Sequence, residues 1–233
     1  PDGDWVLLRQ WMAIELPTAA LAGQLPDRMA LRLVRSTAPR QPDILMTSLG
    51  TEIYYAPRLT RDIAWAEHID HLWHPRLIDR ILADLPGIKS QPKSERSRFK
   101  LSYYIDPTHA PGLDEINSLL HQHEQAANTF LSFGQFLDVI PVRASKGFAL
   151  RWCADQWDIP LENILVAGGS GADEDMMRGN TLAVVVGNRH HEELSRLTDQ
   201  ESIYFASQPY AMGILEAIEH YDFYGACRMP DAT

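Results

Sequence analysis

Apolar and polar residues alternate in blocks through the second half of the chain. Short apolar runs of strand type, "NILVAGG", "TLAVVVGN" and "SIYFA", are separated by stretches with helical spacing, "SKGFALRWCADQWDI", "DEDMMRG", "HHEELSRL" and "YAMGILEAIEHYDFY". Strands that alternate with helices are typical of a parallel sheet with helices on both faces. The pattern after Pro141 therefore predicts a Rossmann-like α/β core.

An earlier pair of apolar runs predicts a strand hairpin. Residues 44–47 read as a buried strand, Gly50 as a turn, and residues 52–55 as a second short strand. The stretch 62–85 then carries apolar residues at helical spacing and is broken by Pro75.

The segment between these two parts has a mixed pattern. "RFKLSYYID" alternates as a strand, "GLDEINSLLHQHEQ" reads as a helix, and "NTFLSFGQFLDVIPV" reads as a strand pair around Gly134. We therefore predict a Rossmann-like parallel-sheet core formed by residues 1–55 and 139–233, with an α/β cap lobe inserted at residues 56–138.

Composition narrows the classes of partner. The 233 residues are 45% hydrophobic, which suffices for a sizeable core, and the formal net charge is −10. Nucleic-acid binding rests on clustered Lys and Arg, so this charge argues against a nucleic-acid partner. No run approaches the roughly 20 apolar residues of a membrane helix, so we expect no membrane partner.

The two cysteines, Cys153 and Cys227, lack the spacing of a metal site and are far apart in the sequence. This usage is typical of a reducing compartment, and we predict a cytoplasmic protein. Cys153 falls within an amphipathic helical pattern and is interpreted as a core residue.

Four acidic or basic residues have the arrangement that phosphoryl transfer through an aspartate requires. Asp2 and Asp4 are two positions apart, which in an extended segment points both carboxylates into one pocket. Lys146 opens a predicted helix, where it can neutralise a phosphate, and Asp173 follows a glycine turn at the end of a predicted strand.

These segments resemble the haloacid dehalogenase superfamily and, within it, the sucrose-phosphate phosphatase family. The resemblance covers residues 40 to 225 through "PDILMTSLGTEIYY", "FKLSYYIDP", "DVIPVRASKGFALRW", "LVAGGSGADEDMMRGNTLAVVVGN" and "YAMGILEAIEHYDF". It implies a haloacid dehalogenase-like fold. The chain also resembles the phosphatase-like domain that many sucrose-phosphate synthases carry behind their glycosyltransferase domain.

The resemblance also implies roles for individual residues. Asp2 would be the nucleophile, Asp4 the general acid and base, and Lys146 the phosphate-neutralising lysine. Mg²⁺ would be held by Asp2, Asp4 and Asp173. The groups that face the sugar would be Glu52, Lys100, Ser102, Asp138 and Arg143.

The chain departs from the family pattern at two places. Where the family has Gly-Asp-Ser-Gly-Asn-Asp, this sequence has Gly168-Gly169-Ser170-Gly171-Ala172-Asp173, so a Mg²⁺ carboxylate and an orienting amide are missing. Where the family has Thr-Gly-Arg, it has Gly23-Gln24-Leu25. Residues 9–22 are also too few for the helix and buried strand that the fold normally places before that motif, so we expect a shortened or disrupted early sheet.

The departures favour a catalytically impaired domain. Losing one transition-state hydrogen-bond donor costs roughly 10² to 10³ in rate, and losing a member of a cooperative catalytic unit about 10⁴. We expect a phosphatase-like domain of a sucrose-phosphate synthase that binds sucrose or a phosphorylated disaccharide, or that docks a separate phosphatase. The alternative is an active Mg²⁺-dependent sucrose 6-phosphate phosphohydrolase. A third possibility is that residues are missing from the chain near positions 8–25.

Plainer interpretations exist for the same residues. Asp2 and Asp4 could be solvated acids at a terminus, and Lys146 a solvated residue in the first turn of a helix. Asp173, with the two acids after it, also suits the amino-terminal turn of a helix. The repeated histidines His68, His71 and His74 are interpreted as solvent-facing residues of a helix rather than a zinc site.

Overall fold

The computed structural model describes residues 19–21, 42–190, 194, 197 and 202–226. The chain forms two compact units, and the described residues up to Ala149 belong to one while those from Leu150 belong to the other. Several predicted features lie outside the described residues: Asp2, Asp4 and Gly23-Gln24-Leu25. Of the helix predicted from "HHEELSRL", only His190, Leu194 and Leu197 are described.

The first unit contains eight described strands and three complete helices. The strands are β1 (Ala19–Leu21), β2 (Ile44–Thr47), β3 (Glu52–Tyr55), β4 (Thr60–Arg61), β5 (Ile88–Ser90), β6 (Leu101–Ile105), β7 (Ala127–Ser132) and β8 (Phe136–Pro141). The helices are α1 (Ile63–Ile69), α2 (Pro75–Ala83) and α3 (Leu113–Gln122). Helix α4 (Lys146–Gln156) begins in this unit and ends in the next.

One sheet of this unit has the order β1-β2-β3-β4. β1 runs parallel to β2, with Leu21 opposite Met46, whereas β3 and β4 are antiparallel to their neighbours. The sequence left too little chain here for both a helix and a buried strand, and a shortened or disrupted sheet was expected. β1 is present, but it is only three residues long. Three extended residues span only about 10 Å and are enough to pair with the edge of β2.

The hairpin between β2 and β3 has the predicted strands and turns through a left-handed segment. Ser48, Leu49 and Gly50 have φ values of 52°, 62° and 83°. The Trp65 indole donates to Gly50 O at 3.1 Å, and the Thr51 hydroxyl donates to Ser48 O at 2.9 Å. The main chain of the turn is therefore held from two sides.

Pro75 interrupts the long helical stretch as predicted. It occupies the first turn of α2, where a proline ring removes no hydrogen bond that the helix needs. Upstream, Asp62 caps α1 by accepting from Trp65 N at 2.8 Å. The stretch therefore forms two helices, with Trp65, Ile69 and Ile78 buried.

The second sheet of this unit is antiparallel, in the order β5-β6-β8-β7. The predicted turn at Gly134, with φ of 66°, connects β7 to β8. β4 and β5 were not predicted, because they are two and three residues long and mostly polar. The predicted limit between cap and core at residue 138 falls inside β8, and that division stays a prediction.

The second unit contains a parallel sheet in the order β11-β10-β9. Its strands are β9 (Leu165–Gly168), β10 (Leu182–Val185) and β11 (Ile203–Phe205), and its helices are α5 (Glu174–Met177), α6 (Tyr210–His220) and α7 (Phe223–Ala226). The predicted alternation of parallel strands and helices is confirmed here. Cys153 is buried, as predicted, at 3% exposure.

The last helical stretch was predicted as one helix, and it forms two. α6 ends at His220, and Asp222 adopts a left-handed φ of 45° before α7 begins. Within α6, Glu216 accepts hydrogen bonds from the Tyr204 hydroxyl at 2.6 Å and from Ser207 N at 3.0 Å. These donors, with Tyr204 the strongest, lower the pKa of Glu216 to about 2.

No helix in the described ranges combines the length and the hydropathy that a membrane span requires.

Candidate functional site

Lys146 lies where the hairpin turn of the first unit meets helix α4. It is the first residue of α4 and only 6% exposed. A Cβ atom added to Gly50 would contact Ser145 O and lie 2.6 Å from Ser145 C and 2.9 Å from Lys146 N. The turn and the start of the helix are thus in backbone contact, which only glycine permits at position 50.

Two hydroxyls beside this contact were not predicted as site residues. Thr47 and Ser48 are completely buried, and their side-chain oxygens have no hydrogen-bond partner. Because buried polar groups are nearly always paired, such atoms mark places where a ligand can supply the missing partner. The sequence offered no signal for them, since Thr and Ser at the end of a strand are common.

Glu52 is 3% exposed and forms a two-point ion pair with Arg61 across the β3–β4 ladder. Arg61 Nε lies 2.5 Å from Glu52 Oε2, and Arg61 Nη2 donates to Glu52 Oε1 at 2.9 Å. The Arg61 guanidinium also lies 6.0 Å from the centre of the Phe99 ring. Phe99 directly precedes Lys100 in the sequence. Arg61 was not predicted as a site residue, because the two-residue strand β4 has no pattern of its own in the sequence.

Three of the predicted sugar-facing residues form one buried group, which we call the Lys100 network: Lys100, Ser102 and Asp138. Ser102 and Asp138 are directly opposite each other on β6 and β8, and the Ser102 hydroxyl donates to Asp138 Oδ1 at 2.5 Å. Lys100 Nζ lies 3.3 Å from the same oxygen. Glu95 O accepts from Lys100 Nζ at 3.4 Å and lies 3.1 Å from Ser102 Oγ.

Removing the carboxylate of this network is expected to destabilise the fold strongly. Asp138→Ala leaves the Lys100 ammonium, 4% exposed, without the carboxylate it pairs with. Breaking a buried ion pair in this way costs about 3–5 kcal/mol in the free energy of unfolding, which urea denaturation measures. Asp114→Ala, an exposed carboxylate on α3, is the control, and equal losses in the two variants would contradict the pairing.

Arg143, the fifth predicted sugar-facing residue, lies at the surface. Its Nη1 donates to His68 O at 3.5 Å. The structure therefore brings Lys100, Ser102 and Asp138 together, places Glu52 in an ion pair of its own, and leaves Arg143 exposed. Their roles in sugar binding stay predictions.

Asp173, in the second unit, turns its carboxylate back onto the glycine turn after β9. Asp173 Oδ2 accepts from Gly169 N and Ser170 N at 3.0 Å each and from Ser170 Oγ at 2.9 Å. A Cβ on Gly168 would lie 2.5 Å from the Asp173 side chain. The carboxylate therefore holds this turn together, and its role in metal binding stays a prediction.

Gly169 is not required by the backbone. A Cβ there would lie 3.1 Å from Val186 Cγ2 and 3.4 Å from Arg189 Cα, and the residue is not left-handed. A methyl group of Val186 can shift by the few tenths of an ångström needed. A side chain is therefore compatible with this position, and its absence is a property of the sequence.

The described residues do not by themselves fit a Mg²⁺ site. Among them, no group of three or more His, Cys, Asp or Glu side chains is placed to hold a metal ion. Mg²⁺ prefers several carboxylate and water oxygens, whereas Asp173 Oδ2 already accepts from its own turn. Asp2 and Asp4 lie outside the described residues, so Mg²⁺ binding stays a prediction. His68, His71 and His74 are exposed, as predicted.

Three features define the class of protein. They are the parallel strands with a glycine turn after β9, the buried lysine that opens α4, and the antiparallel sheet β5–β8. They are the elements of a haloacid dehalogenase-like α/β protein, and solved structures of that superfamily share this fold.

Comparison with known proteins refines the class. The family model for sucrose-6F-phosphate phosphohydrolase matches residues 18–222. The chain belongs to this family. The crystal structure of the sucrose-phosphatase from a Synechocystis species, in complex with sucrose and phosphate, aligns with a TM-score of 0.84 and 25% identity, over 95% of this chain and 90% of that one.

Two curated relatives show a similar degree of likeness. The mannosylfructose-phosphate phosphatase of Agrobacterium fabrum is 27% identical over 86% of this chain and 81% of its own length. The probable sucrose-phosphatase 3a of Arabidopsis thaliana is 28% identical over 78% of this chain. The matched region spans 45% of that plant protein.

Proposed function

We propose that this chain binds a phosphorylated disaccharide and has lost most of the phosphohydrolase activity of its family. Gly169 is the observation that carries the proposal. It stands where the family pattern has a Mg²⁺ carboxylate, although the fold leaves room for a side chain there. Losing a member of a cooperative catalytic unit costs about 10⁴ in rate.

Substrate binding has more support than turnover. Lys146 is buried at the start of α4, where a helix amino terminus adds partial positive charge for a phosphate. The Lys100 network offers a cation, a hydroxyl and a carboxylate, which are groups that can hydrogen-bond sugar hydroxyls. Displacing Glu95 O from Lys100 would make the ammonium available to a sugar.

The relatives suggest the substrate class. The Agrobacterium phosphatase is named for mannosylfructose phosphate, and the Synechocystis structure contains sucrose and phosphate. Both correspond to phosphorylated disaccharides that contain fructose. We propose sucrose 6-phosphate as the first ligand to test and mannosylfructose phosphate as the second.

The setting we propose is sucrose biosynthesis in the cytoplasm, with this chain as the phosphatase-like domain of a sucrose-phosphate synthase. A domain of this kind stabilises the glycosyltransferase or docks a separate phosphatase. The resemblance of "LVAGGSGADEDMMRGNTLAVVVGN" and its neighbours to such domains supports this setting.

A second candidate is an active phosphohydrolase, in which Asp2 attacks the phosphorus to form an aspartyl-phosphate and Asp4 protonates the leaving sugar oxygen. Buried Lys146 and the unpaired hydroxyls of Thr47 and Ser48 favour it, because a cation and hydroxyl donors can bind a phosphate. Mg²⁺ would then be needed.

The two candidates differ in binding and turnover of sucrose 6-phosphate. We expect the ligand to raise the melting temperature of the chain, and Lys146→Met to abolish that rise because the phosphate loses its cation. Lys89→Met, an exposed lysine on β5, is the control and should keep it. Phosphate release with excess Mg²⁺ should stay near background. Turnover that Asp2→Asn abolishes would establish the second candidate instead.

A further inference from the structure

The side-chain oxygens of Thr47 and Ser48 stand out among the described residues of the first unit. Both residues are 0% exposed, and Thr47 Oγ1 and Ser48 Oγ have no hydrogen-bond partner. The neighbouring Thr51 is equally buried, but its hydroxyl donates to Ser48 O at 2.9 Å. An unpaired buried hydroxyl destabilises a fold, so two adjacent ones call for a function.

The backbone at these hydroxyls is also strained. Ser48 and Leu49 are left-handed without being glycine, with φ of 52° and 62°. Such strain persists when the surrounding structure enforces it, and it clusters at sites that bind ligands. Here the enforcement is visible, because Trp65 holds Gly50 O while the same glycine packs on the main chain of Ser145.

The turn brings these hydroxyls close in sequence to a positively charged helix start. Gly50 follows Ser48 by two residues and Thr47 by three. It lies against the backbone of Ser145 and Lys146. Lys146 is itself buried and opens α4, whose 11 residues give its amino terminus a partial positive charge. A buried ammonium, a helix amino terminus and hydroxyl donors are together suited to an oxyanion.

The register of β1 and β2 adds a further argument. Leu21 is opposite Met46, so Thr47 is the first residue of β2 beyond the paired segment, at the edge where β1 ends. The chain after β1, Gly23-Gln24-Leu25, carries no side-chain hydroxyl. Thr47 and Ser48 therefore place two hydroxyls directly beyond the last residue of β2 that pairs with β1.

We propose that Thr47 and Ser48 donate hydrogen bonds to the phosphate group of the ligand and, with Lys146, complete its binding site. The inference rests on the proposed function, because it assigns two further phosphate-binding residues to the same site. In this site, the strained turn Ser48–Gly50 would set the distance between the Thr47 and Ser48 hydroxyls and Lys146.

Inorganic phosphate is the probe, with its affinity measured by calorimetric titration of the full chain. Thr47→Val and Ser48→Ala should each weaken phosphate binding about 10-fold or more, the usual effect of removing a hydrogen bond to a charged group. Thr47→Val should leave the urea midpoint unchanged or higher, because it replaces an unpaired hydroxyl with a methyl group. Thr47→Ser keeps a hydroxyl and should keep the parent affinity.

Thr181→Val is the matched control. Thr181 is also completely buried, but its hydroxyl donates to Met176 O at 2.8 Å in the second unit. This variant should lower the urea midpoint and leave phosphate affinity unchanged. The opposite effects of the two Thr→Val substitutions separate a ligand-binding hydroxyl from a structural one.

Unchanged phosphate affinity in both Thr47→Val and Ser48→Ala would overturn the inference, as would a parent chain that binds no phosphate. The proposed function fails separately, if sucrose 6-phosphate binds no better than inorganic phosphate. In that case a loss of phosphate affinity in the hydroxyl variants would still establish the anion site.

Discussion

Replacing Gly169 with aspartate is expected to raise phosphate release from sucrose 6-phosphate by roughly 10²-fold or more and to make it depend on Mg²⁺. The substitution returns a carboxylate to the position where the family pattern has one. The contact of the new Cβ with Val186 Cγ2, at 3.1 Å, is tight, and a shift of a few tenths of an ångström relieves it. The fold should therefore accept it, and urea denaturation should show little change in stability.

Gly169→Asn is the matched control for this gain. Asparagine has the same size and makes the same contact with Val186 but lacks the negative charge, so its rate should stay near that of the parent. Equal rates in the two variants would show that the carboxylate is not what the site lacks. A folded Gly169→Asp variant without any gain would contradict this prediction and leave Ala172 and Gly23-Gln24-Leu25 as the departures that limit the rate.

Gly50→Ala should destabilise the protein by about 4 kcal/mol or more, or prevent folding altogether. Two costs combine at this position. The φ of 83° is unfavourable for any residue with a Cβ, and the new atom would overlap the main chain of Ser145 and approach Lys146 N to 2.9 Å. Neither neighbour can yield without moving the start of α4, so the strain cannot be relieved by a side-chain rotation.

Gly134→Ala separates the two costs. Gly134 is also left-handed, with φ of 66°, but nothing lies within 4 Å of its Cβ position. This variant should lose only the conformational term, about 1–2 kcal/mol, in the free energy of unfolding measured with urea. If Gly50→Ala loses no more than Gly134→Ala, the predicted overlap with the main chain of Ser145 adds no cost to the substitution.

Much of the fold was predictable because its elements are marked by local chemistry. The strands 44–47 and 52–55 have the predicted bounds, since apolar runs ended by Gly50 leave little freedom in placing a hairpin. Pro75 and Gly134 fixed a helix start and a turn for equally local reasons. The strands that were missed, β1, β4 and β5, are held by pairing with a neighbour rather than by a pattern of their own.

The candidate site was predictable in part for a different reason. Lys100, Ser102 and Asp138 were predicted only through the resemblance to the sucrose-phosphate phosphatase family. Ser102 and Asp138 meet because β6 and β8 place them directly opposite each other. Arg61 and the unpaired hydroxyls of Thr47 and Ser48 belong to the candidate site because of the residues that lie next to them in space. Composition and periodicity carry no information on such neighbours, so these residues required the structure.

The hydrogen bonds of Asp173 affect which residues of this motif can change during evolution. Because its carboxylate holds the turn after β9 together, selection for folding alone is enough to retain it, even in a lineage that has stopped hydrolysing phosphate. The neighbouring position 169 offers only a main-chain donor to that turn, so its side chain can change without harm to the fold. An aspartate at position 173 is therefore poor evidence of an active phosphatase. The residue at position 169 is the better indicator of catalytic activity.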